Sequence, residues 1–292
     1  MQACRADQNP IVMSLQHILS PIDFSHCSRL AVQTAVRLSK ASGARLTLLH
    51  SIHEPHVFAD DMSFSQTERL MEEHEKEARE QFNQMLDEYH ALATVNYTLV
   101  ISQELLENAV SAIQPEDPID LIVMGTHGAS GLKSFLFGSK THWVVKNTGV
   151  PVLTVPENFE VNTGFEKIAL AADFQDTPIK DTFQPLLNLA EAENAEVHVL
   201  HISESDQVGS VKVDEAWKLE HHLAKVNHSF HFRQGTDTED AILHYLEEKG
   251  IHLLTVVKKQ RDLPGRLFHR SLTRKLTFHA TTPLLILKEA KS

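Results

Sequence analysis

The chain has 292 residues, about twice the usual domain size, so two domains are expected rather than one. Apolar residues make up 42% and charged residues 23%, a composition typical of globular proteins that excludes disordered, collagen-like and coiled-coil classes. Lys and Arg total 27 against 39 Asp and Glu, and the net charge of −12 disfavours nucleic acid as a partner.

Cysteine content and hydropathy indicate the compartment. Cys4 and Cys27 are the two cysteines of the chain, too few for a disulfide framework, which fits a reducing environment. No apolar run approaches the ~18 residues that a membrane span requires, and residues 1–10 are polar, without a signal-peptide core. We therefore expect a cytoplasmic protein with no membrane partner.

Two stretches of the chain have the pattern of one unit written twice. Both begin with a short apolar run that ends in Asp-Phe, at residues 17–24 and 167–174. A helical pattern follows each, and then a second apolar run that ends in histidine, at His50 and His201. The predicted helices are 29–42 and 178–193.

The second parts of the two units also match, at a shorter separation. Residues 121–124 match 253–256, and 150–155 match 282–287. The first unit is therefore longer between its second and fourth strands, where residues 65–93 predict a long charged helix and 214–226 a shorter one. The apolar stripe predicted on the longer helix consists of Leu70, Phe82, Met85, Leu86 and Tyr89.

Apolar runs that are continuous and separated by helical patterns indicate parallel strands buried on both faces of a sheet. The sequence therefore predicts an α/β protein of two tandem doubly wound domains, each with a five-stranded parallel sheet flanked by helices. The predicted bounds are 1–156 for the first domain, 157–166 for the linker and 167–292 for the second domain.

The carboxyl ends of the strands are where doubly wound sheets bind ligands. Asp23 follows the first predicted strand, Ser51 the second, and Gly125 and Gly128 the fourth. Gly138 and Ser139 stand at a predicted helix N-terminus, where free amides and the helix dipole favour an anion. These residues predict a polyphosphate site made mostly of main chain.

In these features the sequence resembles the universal stress protein family, whose ATP-binding members carry Gly-x2-Gly-x9-Gly-Ser/Thr after the fourth strand. Gly125, Gly128, Gly138 and Ser139 match that spacing. The resemblance covers nearly the whole chain as two tandem copies and implies the family's fold, of the adenine nucleotide alpha hydrolase type. Further matching segments are 21–25, 48–50, 120–128 and 150–153.

The resemblance implies a site for ATP, or for ADP or AMP, with or without Mg²⁺, in the first unit. Asp23 would contact adenine, Ser51 would do so through its main chain, and Met124 would line the base or ribose region. The amides of Gly138, Ser139 and Lys140 would hold phosphates, while the Lys140 side chain either binds a phosphate or points to water. The implied site residues are Pro21, Ile22, Asp23, Ser51, Met124, Gly125, Gly128, Gly138, Ser139 and Lys140.

Asp23 has a second interpretation, as the residue that caps the helix after the first strand. Its counterpart Asp173 is expected to be such a cap, because the second unit lacks the loop glycines. Val257, Gln260 and Arg270 stand in their places. The second unit is therefore a degenerate partner or a site for another ligand. Its basic stretch, residues 258–275, either binds an anion or an acidic partner or is a solvated surface.

Catalysis has little support in the sequence, because phosphoryl transfer requires a positioned nucleophile and usually a metal held by carboxylates. No catalytic residue is predicted, and the 19 histidines lack the tight spacing of a metal site. We expect a nucleotide-dependent stress-response protein, with a slow Mg²⁺-dependent ATPase or phosphotransferase and a nucleotide-free scaffold as alternatives. The resemblance further implies that the two domains pair as an intrachain pseudo-dimer, through antiparallel residues 151–155 and 283–287, as related dimers do. A further homodimer and a protein partner are left open.

Overall fold

The computed structural model describes residues 15–52, 64–126, 138–174, 178, 180–203, 213–258 and 282–289. Within these ranges ten strands form one sheet. The strands are β1 His17–Pro21, β2 Arg45–Ser51, β3 Tyr97–Ser102, β4 Leu121–Gly125, β5 Val152–Val155, β6 Lys167–Ala171, β7 Glu196–Ser203, β8 His228–Gln234, β9 Leu253–Lys258 and β10 Leu284–Lys288. The α-helices are α1 His26–Ser42, α2 Phe64–Glu88, α3 Leu106–Glu116, α4 Ser139–Asn147, α5 Gln184–Glu193, α6 Val213–Leu223 and α7 Thr238–Lys249.

The strand order repeats across the sheet. It runs β3-β2-β1-β4-β5-β10-β9-β6-β7-β8, so each half has the same doubly wound order read outward from the seam. All pairings within each half are parallel. The seam between β5 and β10 is antiparallel, with Thr154 opposite Leu284 and Val152 opposite Ile286. This confirms the predicted pairing of 151–155 with 283–287.

The sheet is buried on both faces, as the continuous apolar runs predict. All residues of β1 and β4 are buried. Successive residues of β4 contribute to different apolar clusters: Val123 packs with the α1 residues Ala31 and Val32, whereas Met124 packs with Val110 of α3. Among the described helices none is long and apolar enough to cross a membrane.

The helices after the first strand of each half differ more than the sequence predicts. Helix α1 begins at His26, three residues before the predicted start, because the Ser25 hydroxyl accepts from the Ser28 amide and caps it. Helix α5 begins only at Gln184, with Pro185 in its first turn, and a short 3-10 helix at Lys180–Phe183 precedes it. The prediction of a helix from residue 178 is therefore wrong at its start.

The length difference between the two halves lies where the sequence places it. Helix α2 has 25 residues and is followed by a 3-10 helix at His90–Thr94, whereas α6 has 11 residues. Of the predicted apolar stripe, Phe82 and Met85 are buried, and Leu70, nearer the start of the helix, is half-buried. The core therefore holds the C-terminal part of α2 more firmly than its beginning.

The segment between β5 and β6, predicted to be a polar linker, contains a buried aromatic contact. Phe165 is fully buried and stacks on Phe159 at 5.9 Å between ring centroids. The Arg37 guanidinium of α1 lies 4.4 Å from the centroid of the Phe165 ring and forms an ion pair with Glu193 of α5. Glu193 also accepts the Phe165 amide at 2.9 Å. These contacts tie α1 and α5 together across the sheet halves.

We predict that Glu193→Gln destabilises the protein by about 3 kcal/mol, because it leaves the largely buried Arg37 charge without its partner. The matched control is Glu75→Gln, which removes the same charge from an exposed ion pair with Arg79 on α2 and should cost at most about 0.5 kcal/mol. Urea unfolding measures both. Equal effects of the two substitutions would contradict the structural role of the Arg37–Glu193 pair.

Candidate functional site

The carboxyl end of β1 leads into α1 through a tight turn. Phe24 has a positive φ of 59°, which reverses the chain between strand and helix. The Asp23 carboxylate accepts the Ser25 amide at 3.1 Å and the Ser25 hydroxyl at 2.6 Å. Ser25, rather than Asp23, is therefore the cap of α1, and Asp23 orients it. The prediction that Asp23 itself is the cap is wrong by two residues.

The carboxyl end of β4 and the start of α4 are held together. The Gly138 amide donates to the Thr126 carbonyl at 2.8 Å, and the Thr126 amide donates to the Val155 carbonyl at 3.0 Å. In the first turn of α4, the Thr141 hydroxyl donates to the Gly125 carbonyl at 2.9 Å. The start of α4 therefore lies against the carboxyl end of β4. Gly128 lies in the intervening stretch, outside the described residues.

The N-terminus of α4 presents main-chain donors. Gly138 precedes the helix with φ −51° and ψ 154° and supplies no side-chain cap. The first bond of the helix runs from the His142 amide to the Gly138 carbonyl at 2.9 Å. The amides of Ser139, Lys140 and Thr141 therefore have no partner within the helix, and they carry the positive end of its dipole. The side chains of Ser139 and Lys140 are exposed.

Gly125 has a packing reason to lack a side chain. A Cβ at this position would lie 2.8 Å from the Cys27 Sγ and 2.9 Å from both the carbonyl carbon and the carbonyl oxygen of Cys27. Cys27 is buried in the first turn of α1, and its thiol donates to the Val155 carbonyl at 3.3 Å. Helix α1 therefore begins directly against the end of β4, in a space that only glycine leaves open.

His50, at the end of β2, joins these elements. Its Nδ1 donates to the Ile22 carbonyl at 2.7 Å, and its ring lies 4.9 Å from the ring of Phe24. Burial lowers the pKa of His50 below its usual value, the charge of Lys140 lowers it further, and Asp23 acts in the opposite direction. Groups from the turn after β1 and from the start of α4 thus act on one imidazole at the carboxyl edge of the sheet. The sequence signal was the recurrence of His50 as His201.

The remaining predicted residues lie around this point with different exposure. Ser51 is half-buried, and its hydroxyl donates to the Glu104 carbonyl at 2.7 Å. Pro21 and Ile22 are buried, and Met124 is buried in the apolar cluster that contains residues of α3 and α4. The Met124 side chain therefore contributes to the core beneath the strand ends.

The second half repeats the turn but not the helix start. Phe174 has φ 51°, and the His201 Nδ1 donates to the Ala172 carbonyl at 2.9 Å, as His50 does to Ile22. Phe183 precedes α5, so the prediction that Asp173 caps the following helix is wrong. Val257, at the position of Gly125, is buried. Gln260, Arg270 and the basic stretch beyond Lys258 lie outside the described residues.

We predict that Gly125→Ala destabilises the protein by about 1 to 3 kcal/mol, because the new methyl group forces α1 away from β4. Cys27→Ala should not rescue it, since two of the three close atoms belong to the Cys27 backbone. Gly149→Ala is the control: a Cβ there meets no atom within 4 Å, so stability should stay within about 0.5 kcal/mol. Thermal unfolding measures the stability of each variant. An unchanged stability of Gly125→Ala would contradict the close contact between Gly125 and Cys27.

We predict that Lys140→Met raises the pKa of His50 and that Asp23→Asn lowers it, because these substitutions remove the two charges that act on the ring. An NMR titration of the His50 ring protons measures both shifts, with His50→Gln to assign the resonance. A His50 pKa that Lys140→Met leaves at its wild-type value would mean that the start of α4 does not lie beside the end of β2.

Comparison with known proteins gives a consistent result. The model of the universal stress protein family matches residues 14–156. Universal stress protein MJ0577 of Methanocaldococcus jannaschii is 27% identical over 150 residues, which cover 47% of this chain and 93% of the relative. Universal stress protein MJ0531 of the same organism is 30% identical over 144 residues, covering 47% of this chain and 80% of the relative.

The likeness to solved structures extends over both halves of the sheet. The crystal structure of a universal stress protein from Archaeoglobus fulgidus DSM 4304 superposes with a TM-score of 0.71 at 19% identity. The match covers 94% of this chain and 98% of that one, and at this identity it shows the fold. With the fold, the strand-end turns and the sequence match to MJ0531 in agreement, the chain belongs to the universal stress protein family.

Proposed function

We propose that the first half of the sheet binds an adenine nucleotide and that the protein acts as a nucleotide-dependent regulator of the stress response in the cytoplasm. The observation that carries this proposal is the set of three amides, from Ser139 to Thr141, at the start of α4 beside the ends of β1 and β4. A phosphate chain is the ligand that such a group of N–H donors favours. Family membership and the glycine spacing support adenylate as the rest of the ligand.

The proposed ligand would lie across the carboxyl edge of the first half. Its phosphates would accept from the amides of α4, with the exposed Lys140 side chain near enough to add a positive charge. Asp23, half-buried at the end of β1, would take the adenine end. Gly138 contributes by having no side chain at the helix start, where a larger residue would occupy the phosphate position.

We propose binding rather than turnover as the main activity. Among the described residues, Asp23 and Lys140 are the charged side chains that act on His50. Asp23 is bonded to Ser25, and the Nδ1 of His50 is bonded to Ile22. Phosphoryl transfer also requires a positioned nucleophile and usually a metal held by carboxylates, and the sequence predicts neither. ATP, ADP and AMP remain the candidate ligands, with or without Mg²⁺.

The second half is, in this proposal, a degenerate universal stress domain that follows a linker at 157–166. The repeated strand order and the repeated histidine contact support the tandem interpretation. The buried side chain of Val257 takes the place where the first half has Gly125. Nucleotide binding is therefore proposed for the first half alone.

We predict that Gly138→Asp abolishes nucleotide binding without loss of the fold. The backbone angles at Gly138 suit any residue, and aspartate is a good helix cap, so the unliganded melting temperature should be unchanged or higher. Its carboxylate would occupy the phosphate position and repel the ligand. ATP at about a hundred times its Kd should stabilise the wild type by about 2.7 kcal/mol and should leave Gly138→Asp unaffected.

Gly149→Asp is the matched control, since it adds the same charge at an open position after α4 and should keep the response to ATP. Native mass spectrometry of freshly purified protein identifies a retained nucleotide, and phosphate release with Mg²⁺ measures turnover. The proposal fails if the wild type neither retains a nucleotide nor melts later with ATP, or if Gly138→Asp responds to ATP like the control.

A further inference from the structure

Helix α4 lies across the seam between the two halves of the sheet. Its half-buried residue Val145 packs against the cluster of the first half that contains Ile122 and against the cluster of the second half that contains Val256 and Ile286. The helix that begins at the proposed phosphate site therefore ends against the other half of the molecule.

The last carbonyls of a helix have no partner within it and must find one elsewhere. The Val144 carbonyl accepts the Thr148 amide at 3.1 Å and the Thr148 hydroxyl at 2.7 Å. The Val145 carbonyl accepts the ammonium groups of Lys288 and of Lys258, the latter at 3.3 Å. Lys258 also donates to the Lys146 carbonyl at 3.3 Å. Two lysines of the second half thus bind the C-terminal end of a helix of the first half.

The topology explains how these lysines reach α4. Because β10 runs antiparallel to β5, the carboxyl edge of the second half lies beside the amino edge of the first. Lys258 ends β9 and Lys288 ends β10, so both side chains arrive where α4 ends. The corresponding positions of the first half hold Thr126 and Pro156, neither of which carries an ammonium group.

We propose that Lys258 and Lys288 are positioning residues for the phosphate site, and that through them the second half sets the nucleotide affinity of the first. The inference rests on the proposed function. Helix α4 has nine residues and is therefore about 13 Å long. Hydrogen bonds to the last carbonyls of α4 therefore fix the position of its first amides, because a helix of this length moves as one rigid body.

The two lysines change nucleotide affinity by positioning α4, and not by attracting the phosphates directly. At physiological salt the Debye length is about 8 Å, so lysine charges at the far end of α4 are largely screened from a phosphate at its start. Hydrogen bonds from charged donors are the strong ones, and they orient the helix end directly. The expected consequence of losing them is a less well placed set of amides and a weaker complex.

The hydrogen bond from Lys288 to α4 also depends on pH. Burial and the neighbouring charge of Lys258 lower the pKa of Lys288 to about 7. Of the other charged groups on the adjoining elements, Lys146 of α4 is exposed. Glu289 follows Lys288 in the chain, is half-buried, and donates its amide to the Lys258 carbonyl at 3.2 Å. Lys288 is therefore charged below about pH 7 and neutral above it, so nucleotide affinity should fall as the pH rises through 7.

The test is ATP affinity, measured by calorimetry on the full chain at pH 6 and pH 8.5. Relative to wild type at pH 6, the double variant Lys258→Met/Lys288→Met should bind roughly fivefold more weakly. Lys288→Met should lose the part of the pH dependence that the wild type owes to Lys288. Lys288→Arg, charged at both values, should bind ATP as tightly as the wild type at pH 6 and more tightly than the wild type at pH 8.5. The control is Lys40→Met, which removes an exposed lysine from the last turn of α1.

The outcomes separate the two proposals. Failure of the wild type to bind ATP at either pH overturns the proposed function. A wild type that binds, with the double variant equal to it or to Lys40→Met in affinity, overturns the positioning role alone. The positioning role is also overturned if the ATP affinities of wild type and Lys288→Met depend on pH in the same way. The ligand and His50 titrate equally in both proteins, so any difference between them comes from Lys288. The unliganded melting temperature shows that each variant is folded, and the single Lys258→Met substitution replaces the double variant if that one is not.

Discussion

The antiparallel pairing of β5 with β10 is the contact on which the arrangement of this molecule depends. Each strand is buried, and without the other it would be an unpaired apolar edge, which is a site of aggregation. The pairing also reverses the direction of the second half, so the carboxyl edges of the two halves lie at opposite sides of the sheet. That reversal brings the ends of β9 and β10 to the end of α4. A parallel seam would have placed them beside its start.

Much of this fold follows from the sequence because the responsible patterns are local. Continuous apolar runs predict the strands, and the resemblance to the universal stress protein family predicts the seam. The start of α1 was misplaced because capping depends on which of several adjacent polar residues adopts the extended conformation, and Asp23, Ser25 and Ser28 all had the right chemistry. The start of α5 was misplaced because a 3-10 helix, and no side-chain cap, precedes it. The contacts of α4 with Lys258 and Lys288 could not be predicted, since they join residues 112 to 143 positions apart through tertiary structure.

The glycines of the nucleotide motif illustrate how one pattern can contain different physical requirements. Gly125 is needed by the fold, because the backbone of Cys27 fills the space that a Cβ would take. Gly138 has ordinary backbone angles and caps α4 without a side chain, so the fold would accept other residues there. In the proposed function, Gly138 lacks a side chain because the phosphates lie there. The sequence alone gives both glycines the same interpretation, whereas the structure shows a packing requirement at Gly125.

Equivalent positions in the two halves contact opposite ends of α4. In the first half, Thr126 follows β4, and its carbonyl accepts the Gly138 amide, which closes the loop onto the start of α4. In the second half, Lys258 stands at this position and extends its ammonium to the end of that same helix. In the proposal, the second half therefore needs no ligand of its own to affect the first, because the helix that Lys258 contacts is the one that begins at the proposed nucleotide site.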